Sequence, residues 1–216
     1  LAWEHVQLRE LPVLEEDGDA DDESLQKPRP VRGACFSRAK PTPVARPQLV
    51  LAVEDALALV DLPPDAPARR VACFCGNEVP RGARPSAHCY AGYQFGEFAG
   101  ALGDGAAISL GEVVNGRGER WEVQLKGAGR THYSRRGDGR KVLRSSLREL
   151  PGCEALHALG VPSACAAALV VSATTVARDV HYDGHVAEER AAVLTRRAPS
   201  FLRFGSFEIV NAGGAS

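Results

Sequence analysis

Apolar and polar residues alternate along residues 120–126, and Ile108 and Leu110 share one face of the run before them. The runs AISLGEVV (107–114) and RWEVQLK (120–126) flank Asn-Gly in residues 115–118, a dipeptide typical of tight hairpin turns. We therefore predict a β-hairpin, whose return strand has an apolar face of Trp121, Val123 and Leu125 and a polar face of Glu122, Gln124 and Lys126.

Two segments have apolar residues at helical spacing. Residues 47–64 fit a helix that ends before two prolines, and a second helix is predicted from Lys141. Because proline lacks the N–H that a helix interior needs, Pro151-Gly152 predicts a kink or a break. A second helical piece then ends at Gly160, the expected C-cap.

Other apolar runs favour strands. Residues 68–80 fit a strand followed by a turn, because Cys73-Phe74-Cys75 alternates as a strand would. The runs 167–180, 191–198 and 201–210 fit further strands around a turn at HYDGH. Together with the two helices, these patterns predict an α+β fold with an antiparallel sheet.

Composition limits the classes of function. The chain has 216 residues and a formal net charge of −1, so a strongly basic nucleic-acid-binding protein is not indicated. No window approaches the roughly 18 apolar residues that a membrane span requires. The chain contains no methionine, which predicts a processed form or a fragment, and no targeting segment is visible in it.

The division of the chain follows from the same composition. The acidic run at residues 15–32 has few apolar side chains to offset the entropy of ordering, which predicts a flexible segment. We expect a polar, partly flexible arm at 1–45, a nucleotide-binding lobe at 46–210 and a disordered tail at 211–216.

Cysteine and histidine spacing favours structural roles. None of the six cysteines forms a CxxC pair, so reduced thiols are favoured over a metal site. His181 and His185 lie in the predicted turn, which favours a surface loop, and no metal ligands are assigned.

The glycine segment GALGDGA at residues 100–106 raises the question of nucleotide binding. It matches neither the P-loop nor the dinucleotide-binding pattern. A glycine turn, a lysine on a later strand and a glutamate on the next helix are the order found in protein kinases, and Lys126 and Glu149 fit that order. Purely structural glycines remain the alternative. Arg196 and Arg203 suit phosphate chemistry but equally a solvated surface strand.

Longer motifs resemble one family. The stretches HCYAGYQFGEFAGALGDGAAISLGEV, ERWEVQLKGAG, SRRGDGRKVLRSSLRE and RAPSFLRFGSFE are similar to the selenoprotein O family of pseudokinase-like protein adenylyltransferases. The resemblance implies a protein-kinase-like N-terminal lobe, ATP with Mg²⁺ or Mn²⁺, protein substrates with Ser, Thr or Tyr hydroxyls, and a mitochondrial location in eukaryotes. It also implies that nucleotide is held by Gly103, Gly105, Ala106, Lys126, Asp138, Gly139, Arg196 and Arg203, with Glu149 as the partner of Lys126.

The chain also departs from that family. Ala106 stands where many members have arginine, and Pro151-Gly152 follows Glu149 directly. The residues that would serve as catalytic base and metal ligands have no counterpart here, so we expect the C-terminal catalytic lobe to be absent and the chain to be inactive alone. The alternatives are a non-catalytic nucleotide-binding or protein-interaction fragment, or a nucleic-acid patch at residues 129–144.

Overall fold

The computed structural model describes residues 2–14, 22–58, 60 and 67–211. The strands of the described chain are β1 (Ala2–Glu4), β2 (Val13–Leu14), β3 (Phe36–Arg38), β4 (Gln48–Ala52), β5 (Ser86–His88), β6 (Ala91–Gln94), β7 (Glu97–Ala101), β8 (Ala107–Val114), β9 (Arg120–Lys126), β10 (Lys141–Val142), β11 (Cys165–Asp179) and β12 (Val186–Ala198). The helices are α1 (Val6–Glu10), α2 (Asp22–Gln26), α3 (Glu54–Ala58), α4 (Pro67–Cys75), α5 (Leu143–Ala158) and α6 (Phe204–Asn211).

One mixed sheet organises the chain. Its strand order is β2-β3-β5-β8-β9-β12-β11-β4, with β1 added beside β8 and β10 beside β12. Every pair is antiparallel except β2 with β3. A separate hairpin of β6 and β7 joins β5 to β8. The predicted α+β fold with an antiparallel sheet is therefore confirmed in its coarse form.

The predicted hairpin of residues 107–126 is also confirmed. Strands β8 and β9 pair antiparallel from Ala107 opposite Lys126 to Val114 opposite Arg120. Leu125 and Val123 are almost fully buried in the main core beside Ile108. Burial of side chains of this size contributes about 1.5–3 kcal/mol each.

Three predicted elements differ in type. Residues 47–64 were expected to be helical, but β4 pairs there with β11 and only α3 is helical, with 59 and 61–66 outside the described residues. A strand forms here instead of a helix because the edge of β11 supplies hydrogen-bond partners for the backbone of β4. The strand expected at 68–80 is wrong because α4 buries Phe74 and Cys75 on one face and begins at Pro67, where the missing N–H costs nothing.

The strand expected at 201–210 is wrong as well. Helix α6 lies there and buries Ile209, while Phe204 and Phe207 stay exposed. Ser206 stabilises the helix start, because its hydroxyl accepts from the backbone N–H of Arg203 at 2.9 Å. Gly205 packs so tightly on β6 that an added Cβ would lie 1.8 Å from the carbonyl oxygen of Ala91.

The boundary proposed at residue 45 stays a prediction. Strands β1 and β3, on one side of it, pair with β8 and β5 on the other. Part of the acidic run, residues 15–21, and most of the expected tail, 212–216, lie outside the described residues. All six cysteines are free thiols, as the spacing predicts.

Helix α5 runs without a break through Pro151, so only the alternative of a kink remains from the prediction. Its end is as predicted: Gly160 has φ of 71° and its N–H donates to His157, while Val161 donates to Leu156. These two bonds form the Schellman motif, which satisfies the last carbonyls of a helix.

Pro151→Ala is expected to stabilise the protein by about 1–3 kcal/mol, because alanine restores an interior N–H and removes the clash with the preceding turn. Residue 151 is exposed, so the change leaves the core untouched. Urea unfolding of the variant would measure the gain. Pro162→Ala, in the exposed loop after the helix, is the control, and equal effects at both positions would contradict this explanation.

The polar face of β9 is buried rather than solvated. Glu122 lies opposite Glu112 in the register, and both are less than 5% exposed. Gln7 covers the pair: its N–H donates to Glu112 at 3.1 Å and its side-chain amide donates to Glu122. Burial, with a further contribution from the charge of Glu112, raises the pKa of Glu122 to about 7.

Glu122→Gln is expected to remove a fall in stability with rising pH. Between the ordinary value of 4.5 and about 7, folded Glu122 keeps a proton that the unfolded chain has lost. Stability therefore falls by up to about 1.4 kcal/mol per pH unit across this window. Buried His88, whose pKa is lowered from 6.5 to about 4 by burial and by Arg203, gives the opposite slope between these values in both proteins, so the difference between the two curves isolates Glu122. Urea titrations from pH 4.5 to 8 test the difference; parallel curves would refute it.

Candidate functional site

The hairpin places a lysine beside the glycine segment. Ala107 pairs with Lys126 at the open end of β8 and β9, and the N–H of Gly127 donates to the carbonyl of Ala106 at 2.7 Å. The level placement of Lys126 and this segment, predicted from the alternation of the hairpin, is therefore found.

Glu149 joins Lys126 to Arg196. Its carboxylate lies 2.7 Å from the amine of Lys126 and accepts from Arg196 at 2.8 Å. Burial alone would raise the pKa of Glu149, but hydrogen bonds and charge from the two cations hold it below its usual value. Burial and the neighbouring Arg196 lower the pKa of Lys126, while Glu149 opposes that change.

A second buried carboxylate holds the other arginine. Asp104 lies 3.6 Å from Arg203, whose guanidinium also lies over the ring of Tyr90 at 4.8 Å. Asp104 accepts from the amide of Gln124 at 3.3 Å, and Gln124 accepts in turn from Arg196. Burial raises the pKa of Asp104, although the charges of Arg203 and Arg196 oppose the rise.

The glycine pair packs against a neighbouring loop. An added Cβ at Gly103 would lie 2.4 Å from the ring of Tyr133, and one at Gly105 would lie 2.5 Å from the carbonyl oxygen of Tyr133. Strand β7 before this segment pairs only with β6 in the described chain, so the glycines do not form a turn between paired strands. Close packing explains both glycines, and a role in nucleotide binding stays a prediction.

The loop that contacts these glycines also carries Asp138 and Gly139. Asp138 receives two hydrogen bonds from Arg178, at 2.7 and 2.9 Å, and one from the N–H of Arg140 at 2.9 Å. Burial would raise the pKa of Asp138, but the bonds from Arg178 bring it below its usual value. Gly139 has φ of 69° and packs on the backbone of Gly129.

Most of these groups line one open cavity of about 740 Å³, and Gln124 and Glu149 contact its lining from behind. Its walls include every predicted binding residue, namely Gly103, Gly105, Ala106, Lys126, Asp138, Gly139, Arg196 and Arg203. Nine lysines and arginines line it against two aspartates. Positive charge at this density, with guanidinium donors in fixed orientations, is suited to binding a polyphosphate.

Sequence reasoning missed several cations of this cavity. The lining also includes Arg130, Arg135, Arg136, Arg140, Lys141 and Arg178. The cluster in GRTHYSRRGDGRK was a usable signal, but it was interpreted only as an alternative nucleic-acid patch. The long reach from β11 that brings Arg178 to Asp138 has no local signature in the sequence.

A second cavity, of about 540 Å³, lies behind Tyr133. Val31, Cys89 and Leu102 contribute apolar walls, and Tyr133 and Arg135 line both cavities.

The predicted surface position of the HYDGH loop is found, since His181 and His185 are exposed. Among the described residues, no helix is long and apolar enough to cross a membrane.

The fold and the cavity define an α+β protein with a cationic cavity on a mostly antiparallel sheet. A family profile described as "Protein adenylyltransferase SelO" matches residues 33–214. The chain therefore belongs to the SelO family, as its motifs indicated.

Curated relatives agree with the family. The chain is 54% identical over 213 residues to the mouse (Mus musculus) protein named "Protein adenylyltransferase SelO, mitochondrial", covering 97% of this chain and 32% of the relative. It is equally 54% identical to the human protein of the same name, with the same coverage. It is 50% identical over 216 residues to "Protein nucleotidyltransferase YdiU" of Azoarcus sp., covering 99% of this chain and 40% of the relative. The chain thus spans about a third of the length of the mammalian relatives.

Proposed function

We propose that this chain is the nucleotide-binding part of a protein adenylyltransferase and that ATP binds in the cationic cavity. The observation that carries the proposal is the 2.7 Å ion pair between Lys126 on β9 and Glu149 on α5. A strand lysine fixed by a helix glutamate is the arrangement with which protein kinases hold nucleotide phosphates. We extend the proposal to a kinase-like N-terminal lobe, for which the order of glycine segment, lysine strand and glutamate helix is the support.

The proposed roles follow from charge and position. Lys126, Arg196 and Arg203 bind phosphate oxygens, because the three cations face the cavity from β9, β12 and the segment before α6. Gly103, Gly105 and Ala106 line the cavity with backbone, and we propose that their N–H groups face the nucleotide. Asp138 and Gly139 line the same cavity from the loop packed against the glycines, and we propose that they contact the nucleotide.

In the reaction that we propose for the whole protein, a Ser, Thr or Tyr hydroxyl oxygen of a protein substrate attacks the α-phosphorus of ATP. A new P–O bond forms, the bond between the α-phosphorus and the bridging oxygen breaks, pyrophosphate leaves, and the hydroxyl proton is released to solvent. Phosphorus transfer depends mainly on positioning and charge neutralisation, and this chain supplies cations for both.

The described residues do not fit a metal held by the protein. Hard divalent cations need several oxygen ligands, whereas Asp104 and Asp138 are each bonded to arginine. No group of three metal-ligating side chains occurs in the part of the chain that the structure describes. Mg²⁺ or Mn²⁺ therefore enters the proposal only as the ion that accompanies ATP.

A specific observation favours a second candidate function, a nucleotide-binding module without transfer. Both carboxylates that line the cavity are paired with arginine, so neither of these described groups is free to act as a base.

A mitochondrial location is proposed from the names of the mammalian relatives alone; the bacterial relatives carry no such word.

Calorimetric titration of the chain with ATP and Mg²⁺ tests the main proposal. We expect saturable binding that weakens as salt is raised, because the cavity acts through charge. Absence of heat at millimolar ATP would overturn the proposal. Radiolabelled ATP with a protein acceptor separates the two candidates: labelling of the acceptor supports transfer, and binding without labelling supports the non-catalytic module.

A further inference from the structure

A continuous row of side chains connects the three cations of the cavity. Each member contacts the next by a hydrogen bond or an ion pair. The order is Arg203, Asp104, Gln124, Arg196, Glu149 and Lys126. A carboxylate lies between each cation and the next, which offsets the repulsion among the three positive groups.

Asp104 is fixed in this row by its backbone. Its N–H donates to the carbonyl of His88 at 2.9 Å, and its carbonyl accepts from the hydroxyl of Thr131 at 2.8 Å. Asp104 and Thr131 are both buried. The close packing of Gly103 and Gly105 on Tyr133 leaves the segment little freedom, so the carboxylate has one direction in which to point.

Gln124 suits its position because it joins an anion to a cation. Its amide nitrogen donates to Asp104 at 3.3 Å, and its amide oxygen accepts from Arg196. A carboxylate could not donate to Asp104, and an ammonium could not accept from Arg196. Gln124 is only 1% exposed, so water cannot replace either bond at little cost.

We propose that Asp104 and Gln124 are positioning residues that hold Arg203 and Arg196 where they bind the outer phosphates of a nucleoside triphosphate. The pair thereby determines how strongly the cavity prefers a triphosphate to a monophosphate. This inference rests on the proposed function, since it assigns a role within the same ATP site. Neither residue contacts the ligand in this proposal; both act through the arginines.

Asp104→Asn separates positioning from simple charge, because the two predict opposite signs. Removing a negative charge from a cationic cavity strengthens the binding of an anion if only total charge matters. If Asp104 orients Arg203, the variant weakens ATP binding although the cavity has become more positive. A merely structural role lowers the affinity for every nucleotide by the same factor.

The experiment is calorimetric titration of wild type and Asp104→Asn with ATP and with AMP. We expect ATP affinity to fall about tenfold and AMP affinity to change less than about twofold. Asp183→Asn, which makes the same change in the exposed β11–β12 turn, is expected to bind both as wild type does. ATP binding that is unchanged or tighter in Asp104→Asn, or equal losses for the two nucleotides, would overturn the positioning role.

A second variant and the behaviour of wild type complete the test. If Asp104→Asn lacks a cooperative thermal transition, Gln124→Met replaces it, since this change removes the donor to Asp104 and the acceptor for Arg196 without adding a charge. The same selective loss of ATP affinity supports the proposal, and equal losses refute it. No ATP binding by wild type would overturn both the proposed function and this inference, whereas wild-type binding with an unchanged ATP-to-AMP ratio in the variants overturns only the inference.

Discussion

Lys126→Ala is expected to weaken ATP binding by about 10- to 100-fold. A hydrogen bond to a charged group contributes about 1.5–3 kcal/mol, and each 1.4 kcal/mol is about tenfold in affinity. The variant also changes what remains, because Glu149 keeps its bond to Arg196 but loses the cation that balanced it at 2.7 Å. The carboxylate of Glu149 is then balanced by Arg196 alone, which leaves Arg196 less positive charge for the phosphates and adds to the loss.

Calorimetry with ATP measures this change, and Lys40→Ala is the matched control. Lys40 is an exposed lysine that does not line the cavity, so its removal lowers the total charge equally without touching the site. We expect the control to bind within about twofold of wild type, since exposed charges are screened by salt. Equal affinities for Lys126→Ala and wild type would show that the ion pair has only a structural role.

Gly139→Ala is expected to destabilise the fold by about 2–5 kcal/mol, the largest stability effect that we predict. Residue 139 has φ of 69°, where a side chain costs about 1–2 kcal/mol. A Cβ there would also lie 2.0 Å from the carbonyl oxygen of Gly129, a backbone atom that cannot rotate away. Overpacking of this kind adds about 1–3 kcal/mol. Urea unfolding measures the sum.

Two other glycines separate the causes. Gly118 has φ of 76° with open space around its Cβ position, so Gly118→Ala tests backbone strain alone. Gly116 has no positive φ and open space around its Cβ position, so Gly116→Ala is expected to change stability by less than about 0.5 kcal/mol. If Gly139→Ala were no worse than Gly118→Ala, the packing of Gly139 on Gly129 would be refuted.

The sequence predicted the elements whose pattern is local. Apolar and polar residues alternate along β9 of the β8–β9 hairpin, and an Asn-Gly turn precedes that strand. The end of α5 has Gly160, whose positive φ suits the residue after a helix. Residues 47–64 and 68–80 were predicted wrongly because their element type depends on neighbours: β4 follows the edge of β11, and α4 packs Phe74 against the sheet. Short apolar runs fit either period, so tertiary contacts decide between them.

In the candidate site, too, local pattern predicted some residues, while others depend on contacts between distant parts of the chain. The placement of Lys126 beside the glycine segment followed from the hairpin register, whereas Glu149 and Arg196 were joined to it by the kinase-like order and by the family resemblance. The contribution of Arg178, 40 residues from Asp138 in the chain, was not predictable from local pattern. The burial of Glu122 under Gln7 was equally invisible, since it depends on a segment 115 residues away.

The contact of Tyr133 with Gly103 and Gly105 has a mechanical consequence. The ring and the carbonyl of Tyr133 occupy the space beside both glycines, and Thr131 bonds the backbone of Asp104 between them. The two loops are therefore packed against each other and joined by a hydrogen bond, so they form one structural unit. A ligand that displaces one of these loops is expected to displace the other with it.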